Sequence, residues 1–433
     1  MDTTPLITQD TIAFGILMLT LGFVFYTSSS ENKTWLKFYK IVPALLMAYM
    51  LPAIFTSLGI IAPEWTSINE AGELVKHESH LYYVASRFLL PASLVLLTLS
   101  IDLKAVLNLG PKALIMFLTG TVGIIIGGPI AILLISVISP ETLGGVGPDA
   151  VWRGLATLAG SWIGGGANQA AMLEIYGYNP KLYGGMVLVD IVVANIWMAI
   201  ILIGIGKSEK IDKWLKSDTS AIEALKEKVS TFSSKITKIP SLSDLIVILS
   251  IAFTIVGISH FGADAISSFL TENVPSVSDK RSAFSSFGSQ FFWMISIATI
   301  LGIILSFTKL KTYEGAGASK VGSVFIYILV ATIGMKMDLT MILDNPGLIL
   351  IGIVWMTIHA ALLIIVAKLV RAPYFFLAVG SQANVGGAAS APVVAAAFHP
   401  SLATVGVLLA VFGYVVGTYG AILTAELMRI VAQ

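Results

Sequence analysis

The sequence contains no cysteine and few charged residues. Without cysteine the protein cannot form disulfides, thiolate metal sites or a cysteine nucleophile. Asp, Glu, Lys and Arg make up 12% of its 433 residues, about half of the roughly 25% that is usual in soluble domains. The formal net charge is only +1, so no basic surface points to a nucleic-acid partner. The composition argues against a soluble or nucleic-acid-binding protein.

Motifs of common hydrolases are absent as well. The chain has neither the His-Glu-x-x-His helix of a metalloprotease nor the Gly-x-Ser-x-Gly turn of a serine hydrolase. Its five histidines are scattered along the sequence and offer no cluster of metal ligands. The sequence therefore predicts no enzymatic activity, and no cofactor other than a coupling ion, Na⁺ or H⁺.

Apolar residues dominate the sequence. They make up 56% of the chain, and the mean hydropathy is +0.88. They form long runs, unlike the short alternating segments of a β-barrel. The first run has no preceding Lys or Arg and no small-residue cleavage site, so it is interpreted as a retained helix and not as a signal peptide. The pattern predicts an all-α polytopic membrane protein with ten spans, at about 8–27, 41–60, 81–101, 112–138, 182–205, 243–262, 289–308, 319–337, 347–370 and 402–428.

Lysines orient the predicted spans, because Lys and Arg concentrate on the cytoplasmic side of a membrane. The longest polar segment, residues 206–240, holds eight lysines and is predicted to be a cytoplasmic linker between two halves, 1–205 and 241–433. Its middle, from Trp214 to Phe232, could form an amphipathic helix on the membrane surface. Counting spans from the linker places both termini outside. We expect a multi-pass protein of the bacterial inner (cytoplasmic) membrane.

Two further stretches, at about 152–177 and 372–398, are apolar but broken by Gly, Asn, Gln and Ser. The loops at 29–40, 104–112 and 309–320 also carry lysines and are predicted to be cytoplasmic. They agree with the linker only if each broken stretch enters and leaves the membrane on the same side. Both stretches are therefore predicted to be re-entrant hairpins, which are tolerated where protein or a water-filled cavity surrounds the backbone. The alternative is a spanning helix with a glycine kink.

The two halves of the chain resemble each other. The Gly-Ser pairs at 160–161 and 380–381 lie 220 residues apart, and residues 178–182 lie over 398–402 at the same offset. An Asp-Leu pair at 102–103, predicted inside, is matched by one at 338–339, predicted outside. The chain is therefore predicted to contain two inverted repeats of about five spans each, an architecture known from transporters.

The broken stretches carry the candidate binding groups. Glycines free the backbone from helical geometry, and the freed carbonyls and half-helix N-termini can bind a cation and a carboxylate. Neutral polar side chains can orient a solute without burial of charge. The alternative, close helix packing through small residues, does not call for Asn and Gln beside the glycines. The predicted solute-binding residues are Ser161, Trp162, Gly164, Gly165, Gly166, Asn168, Gln169, Ser381, Gln382, Asn384, Gly386, Gly387, Ser390 and Arg87.

Ionisable residues inside predicted spans are costly and are candidates for function. Asp190 is the leading ligand of a candidate Na⁺ site, together with Asn168 and Asn384, or a proton carrier; the alternative is a structural partner for a polar neighbour. Arg87 could pair with an anionic solute or extend towards the outer interface. His359 is interpreted as a satisfied packing residue in preference to a proton relay.

The segments G-S-W-I-G-G-G-A-N from Gly160 and G-S-Q-A-N-V-G-G-A-A-S-A-P from Gly380 resemble those of the YjcL-like family of bacterial and plastid integral membrane proteins, a DUF819-type domain of unknown function. This resemblance covers nearly the whole chain and implies a fold more than a substrate. Two glycine-rich hairpins in inverted halves are also remotely similar to glutamate:sodium and 2-hydroxycarboxylate:sodium symporters. That similarity implies a homodimer with an elevator mechanism, in which a core at 81–205 and 319–428 moves on a scaffold at 8–60 and 243–308.

These observations predict a secondary active transporter that couples Na⁺ to the symport of a small carboxylated solute, such as an amino acid, a short peptide or an organic acid. The expected partners are the solute, the coupling cation and the lipid bilayer. A proton-coupled antiporter or a channel-like facilitator is the alternative, and a non-transporting membrane scaffold or sensor is a third interpretation.

Overall fold

The computed structural model describes residues 4–39, 42, 44–68, 73–100, 106–217, 222, 239–278, 285–337, 345–399 and 402–432. The two Asp-Leu pairs and most of the Lys-rich linker lie outside these residues. The helices and strands are α1 (Asp10–Ser28), α2 (Lys33–Tyr39), α3 (Ala44–Ser57), β1 (Glu64–Ile68), β2 (Leu74–Glu78), α4 (Leu81–Leu99), α5 (Pro111–Ile138), α6 (Val151–Tyr176), α7 (Tyr183–Ile205), α8 (Ser208–Leu215), α9 (Leu242–Asn273), α10 (Pro275–Ser278), α11 (Gln290–Ser306), α12 (Ala318–Lys336), α13 (Gly347–Leu369), α14 (Tyr374–Val385), α15 (Gly387–Phe398) and α16 (Ala403–Val431).

Within the described residues, eight helices are long and apolar enough to cross a membrane, namely α1, α4, α5, α7, α9, α12, α13 and α16. The number rises to 10 if two bent pairs each count as one span, α2 with α3 and α11 with the 3₁₀ turn Lys309–Ala316. The prediction of an all-α polytopic membrane protein is thus confirmed. The antiparallel β1–β2 hairpin, which pairs Glu64 with Glu78 in the connection between α3 and α4, was not predicted.

Helix α6 is a hairpin of two half-helices. Its backbone leaves helical geometry at Gly165, where φ is +73° and ψ is −172°. Arg153, near the start of α6, donates a hydrogen bond to the carbonyl of Tyr176, its last residue, and the Trp152 and Tyr176 rings lie 5.7 Å apart. In a straight helix Arg153 and Tyr176 would be roughly 35 Å apart. A kinked spanning helix does not fit these contacts.

Helices α14 and α15 form a second hairpin. They are separated at Gly386, and Gly387 adopts a left-handed φ of +55°. The rings of Tyr374 and Phe398, which begin and end the pair, lie 5.8 Å apart. Each broken stretch therefore has a tip, where the chain reverses, and an open end, where its two half-helices begin and end together. We call α6 the first hairpin and α14–α15 the second hairpin.

The two hairpins open towards opposite ends of the helix bundle. α7 begins beside the open end of the first hairpin, where Met186 packs against Gly154. It ends beside the open end of the second hairpin, where the Tyr374 hydroxyl donates to the carbonyl of Ile201 at 2.9 Å. α16 runs back from the second hairpin to the open end of the first. Since the 23-residue α7 is about 35 Å long, the open ends are separated by the length of a membrane span.

Packing divides the helices into two groups. α5, α6, α7, α13, α14, α15 and α16 pack mainly on one another, and we call them the hairpin group. α1, α3, α4, α9, α11 and α12 pack mainly on one another and form the flanking group. The division into a core at 81–205 and 319–428 and a scaffold at 8–60 and 243–308 stays a prediction. α4 and α12, which it assigned to the core, contact mainly α1, α3, α9 and α11.

The opposite orientation of the hairpins is testable, because the natural chain has no cysteine. Lys181→Cys places an exposed thiol beside the open end of the first hairpin, and His399→Cys places one beside the second. We expect a membrane-impermeant maleimide to label one variant in intact cells and the other only after permeabilisation. Labelling of both variants from the same face would contradict the fold.

Candidate functional site

The tip of the first hairpin is held by an asparagine inside the fold. Asn168 is fully buried, and its Nδ2 donates to the carbonyl of Gly164 at 2.9 Å, across the turn at Gly165. Its Oδ1 accepts a hydrogen bond from the Thr418 hydroxyl of α16 at 2.5 Å. The amide thereby satisfies a carbonyl that the broken helix leaves free and ties the tip to the neighbouring span.

The tip of the second hairpin contains a similar arrangement. Asn384, also fully buried, donates from Nδ2 to the carbonyls of Gly380 at 2.9 Å and Phe117 at 3.0 Å. Its Oδ1 accepts from the Thr121 hydroxyl of α5 at 2.8 Å. This hairpin too is therefore connected through its asparagine to the middle of a long helix of the hairpin group.

These contacts make Asn168 and Asn384 counterparts. Each asparagine ends a Gly-x-x-Ala-Asn segment, and each donates to the carbonyl of the glycine four residues before it, Gly164 or Gly380. The two segments lie 216 residues apart (384 − 168), whereas the Gly-Ser pairs lie 220 apart. The hairpins thus align by Gly-Ser at one position and by their asparagines at another, four residues out of register.

Both tips approach the same part of α16. Gly417 packs against the backbone of Gly164, and Gly413, one turn earlier, faces the carbonyls of Ile163 and Ala383. A Cβ at Gly413 would lie 2.9 Å from the Ile163 oxygen and 3.4 Å from the Ala383 oxygen. The small-residue pattern in α16 therefore lets the two hairpins come close together near the middle of the bundle.

Asp190 connects the first hairpin to α7. Its carboxylate accepts from the Ser161 hydroxyl at 2.7 Å, from Trp162 Nε1 at 2.8 Å and from Gln169 Nε2 at 3.3 Å. The residue is only 7% exposed, and no Lys, Arg or His among the described residues forms an ion pair with it. Three neutral donors therefore stabilise this buried carboxylate, with no countercharge from the described part of the chain.

Ser381 of the second hairpin lies in a separate buried chain of hydrogen bonds. His359 Nδ1 is 2.9 Å from the carbonyl of Gly120, which can only accept, so Nδ1 carries the proton. His359 Nε2 then accepts from the Ser381 hydroxyl at 2.8 Å, and Ser381 accepts from Trp197 Nε1 at 2.8 Å. Both ring nitrogens of His359 have partners, as expected for a packing residue.

Arg87 lies away from the tips. Its guanidinium pairs with Glu174 at 2.5 Å and stacks 4.5 Å from the centre of the Phe291 ring. The Tyr82 hydroxyl donates to the same carboxylate. Glu174 is nine residues from Gly165, roughly 13 Å along the half-helix. The structure therefore places Arg87 at the contact between α4 and the open end of the first hairpin, and does not bring it to the other predicted site residues.

The tips are the accessible part of an otherwise buried cluster. Gly165, Gly166, Gly386 and Ser390 are partly exposed, while the polar side chains around them are buried. Across the described part of the chain, no three His, Asp or Glu side chains come together as a metal centre. The partly exposed tips therefore present neutral oxygens and amides, while the Asp190 carboxylate stays buried.

Four partners of the predicted residues were not assigned to the site from the sequence. Thr121, Thr418, Trp197 and His359 each bind a hairpin side chain from another helix. The available signal was weak, because a single Thr, Trp or His in an apolar span is more often a packing residue. A polar residue near the middle of a span opposite a broken helix is the feature that distinguishes them.

Together, the fold and site define a polytopic helical membrane protein with two hairpins that meet from opposite ends of the bundle. Residues 15–431 match the family described as "Protein of unknown function (DUF819)", and the chain belongs to this family. It is also similar to the "Uncharacterized membrane protein YjcL" of Bacillus subtilis (strain 168), with 24% identity over 398 residues, covering 88% of this chain and 89% of the relative. The resemblance drawn from the hairpin segments is thus confirmed.

The backbone turn of the first hairpin requires glycine at position 165, and this requirement can be tested. Gly165→Ala would force a Cβ into a backbone region (φ +73°, ψ −172°) that is nearly exclusive to glycine, at a cost of about 1–3 kcal/mol. We expect the apparent Tm of the purified protein to fall by several degrees. Gly166→Ala is the matched control, because its φ is not positive and the nearest atom to an added Cβ, Ile326 Cγ2, is 3.9 Å away. Equal losses in the two variants would contradict the assigned turn.

Proposed function

We propose that the protein is a secondary active transporter that couples the entry of Na⁺ to the symport of a small carboxylated solute, such as an amino acid, a short peptide or an organic acid. The observation that carries the proposal is the approach of two hairpin tips, from opposite ends of the bundle, to one segment of α16. A site between such tips can be reached from either membrane face when one hairpin or the other moves away from it.

The order of the helices supports an inverted repeat. A span, a second span, a hairpin and a third span follow one another as α4, α5, α6 and α7 in the first half. The same order returns as α12, α13, α14–α15 and α16 in the second. The hairpins of the two series open in opposite directions, as inversion in the membrane requires. The lysines of the linker would place the open end of the second hairpin in the cytoplasm of a bacterial cell.

The two packing groups support an elevator mechanism. The hairpin group would move as a unit and carry the site, and the flanking group would form the fixed scaffold and the interface of a homodimer. Polar contacts between the groups include Tyr49 with Tyr183 and Arg87 with Glu174. Both lie near the open end of the first hairpin, so movement of the hairpin group would have to break and remake them.

Asp190 is proposed as the group that responds to the coupling ion. It is a buried carboxylate held by neutral donors, so an arriving Na⁺ or proton would supply the missing positive charge. Na⁺ is proposed first, because the Asn168 and Asn384 carbonyl oxygens and the turn carbonyls add the oxygen ligands that hard cations prefer. A proton-coupled antiporter remains the second candidate.

Uptake should depend on the two hairpin asparagines. Asn168→Ala and Asn384→Ala each remove an amide that holds a tip, and we expect each to abolish uptake of the transported solute into proteoliposomes while the protein still inserts. Asn195→Ala is the control, because Asn195 is exposed on α7 and, within the described part of the chain, its side chain bonds only its own helix, at the Ile191 carbonyl. Unchanged uptake in both hairpin variants would rule out the proposed site.

The mode of coupling can be tested with imposed ion gradients. A panel of radiolabelled amino acids, dipeptides and organic acids would be added outside proteoliposomes. The vesicles would carry an inward Na⁺ gradient, an inward proton gradient or no gradient. We expect accumulation above the external concentration only with the Na⁺ gradient. Accumulation driven by the inward proton gradient alone would indicate a proton symporter. Accumulation only when the proton gradient is reversed to point outward would indicate the proton-coupled antiporter, and equilibration without accumulation would indicate a facilitator.

A further inference from the structure

The second hairpin contains a buried hydrogen-bond donor without a partner. Gln382 is 1% exposed, and its Oε1 accepts from the Ser390 hydroxyl at 2.8 Å. Its Nε2 has no hydrogen-bond partner among the described residues. Buried amide groups in folded proteins are nearly always paired. An unpaired donor next to a partly exposed hairpin tip marks the place where an acceptor from another molecule can be received.

A helix N-terminus lies beside this donor. The 12-residue helix α15 begins at Gly387, and no side chain of the described residues caps it, since the residue before it is Gly386. Gly386 also adjoins the glutamine, since a Cβ there would lie 2.8 Å from Gln382 Oε1. A helix N-terminus favours an anion. The unpaired amide and the helix start therefore both favour an anionic ligand that accepts hydrogen bonds.

At the first hairpin, the donor that corresponds to Gln382 already has a carboxylate partner within the protein. At the 220-residue offset of the Gly-Ser pairs, Trp162 corresponds to Gln382, and Asp190 corresponds to Ala410. The same offset relates the first residues of α7 and α16, at 183 and 403. Trp162 donates its Nε1–H to the Asp190 carboxylate at 2.8 Å. The second half keeps a donor at the corresponding position but has a buried alanine, Ala410, where the carboxylate would be.

We infer that a carboxylate of the transported solute binds at the second hairpin, in the position that Asp190 holds at the first. Gln382 Nε2 donates to it, and the N–H groups that begin α15 stabilise its charge. This inference rests on the proposed function and specifies how its solute is recognised. The carboxylate is bound by neutral donors and a helix N-terminus, and no arginine is needed, consistent with the distance of Arg87 from the tips.

The inference can be tested without knowledge of the solute. Ala410→Asp supplies a tethered carboxylate on the helix that packs against α14. We expect the purified full-length variant to keep its apparent Tm or to gain in it. In a Gln382→Leu background the same substitution should lower the apparent Tm by several degrees, because the carboxylate then loses its donor. Ala421→Asp is the matched control, a fully buried alanine on the same helix, and should lower the Tm in both backgrounds.

Two results would overturn the inference. One is an equal loss of Tm for Ala410→Asp and Ala421→Asp, and the other is a loss for Ala410→Asp that does not depend on Gln382. This measurement needs no transport. If the effect of Ala410→Asp on the apparent Tm depends on Gln382 but the protein moves no solute, the proposed function is refuted and the carboxylate site still stands.

Transport gives a second, independent test. Gln382→Glu keeps the size of the side chain but replaces the donor by a negative charge. We expect this variant to lose uptake of every carboxylated solute that the natural protein carries from the labelled panel, and Ala410→Asp to lose it as well, because its own carboxylate occupies the site. Uptake by Gln382→Glu at the rate of the unchanged protein would contradict the inference while leaving the proposed function intact.

Discussion

The structure depends on the need to satisfy backbone polar groups where a chain reverses inside an apolar bundle. Water is not available there to hydrogen-bond the N–H and C=O groups that lose their helical partners where a helix breaks. Asn168 and Asn384 meet this need in the same way, each with an amide that donates to a carbonyl of its own hairpin and accepts from a threonine of a long neighbouring helix. Other features of the core follow from this requirement. Glycine occupies the turns, and glycines in α16 let the tips approach.

The two hairpins meet the same constraint in different ways. At the first hairpin, the protein's own Asp190 carboxylate accepts hydrogen bonds from Ser161, Trp162 and Gln169. The second hairpin holds Ser381 through Trp197 and His359, and Gln382 Nε2 has no hydrogen-bond partner among the described residues. Two hairpins of related sequence thus present different surfaces at their tips. This difference would allow one hairpin to respond to a coupling ion and the other to recognise a solute.

Much of the fold could be predicted from the sequence. Hydropathy located the spans, because each long apolar run coincides with a helix, although α3 is shorter than its run, at 14 residues, and α9 is longer, at 32 residues. The hairpins followed from the lysine-rich loops, since an even number of crossings was needed between them. The register of the asparagines could not be predicted, because the 220-residue offset set by Gly160 and Gly380 does not carry over to Asn168 and Asn384. The side-chain contacts that relate them are formed only in three dimensions.

Long-range partners also limited the prediction of the site. Arg87 was a candidate for solute binding by its depth in a span, and its pairing with Glu174 depends on a residue 87 positions away. The grouping of α4 and α12 with the flanking helices likewise arises from packing that no local pattern encodes. In contrast, the residues of the hairpin tips were found from composition alone, because Gly, Asn, Gln and Ser rarely cluster in an apolar segment without a structural or functional need.

In the proposed mechanism the two tips form one site that is reached from both membrane faces. The most direct measurement is the reactivity of single cysteines at Gly166 and Ser390, both partly exposed, with a membrane-impermeant thiol reagent added to either side of oriented vesicles. We expect each cysteine to react from both faces, as the hairpin group moves between two positions. Reaction of each cysteine from one face only, under all ion gradients, would contradict the claim.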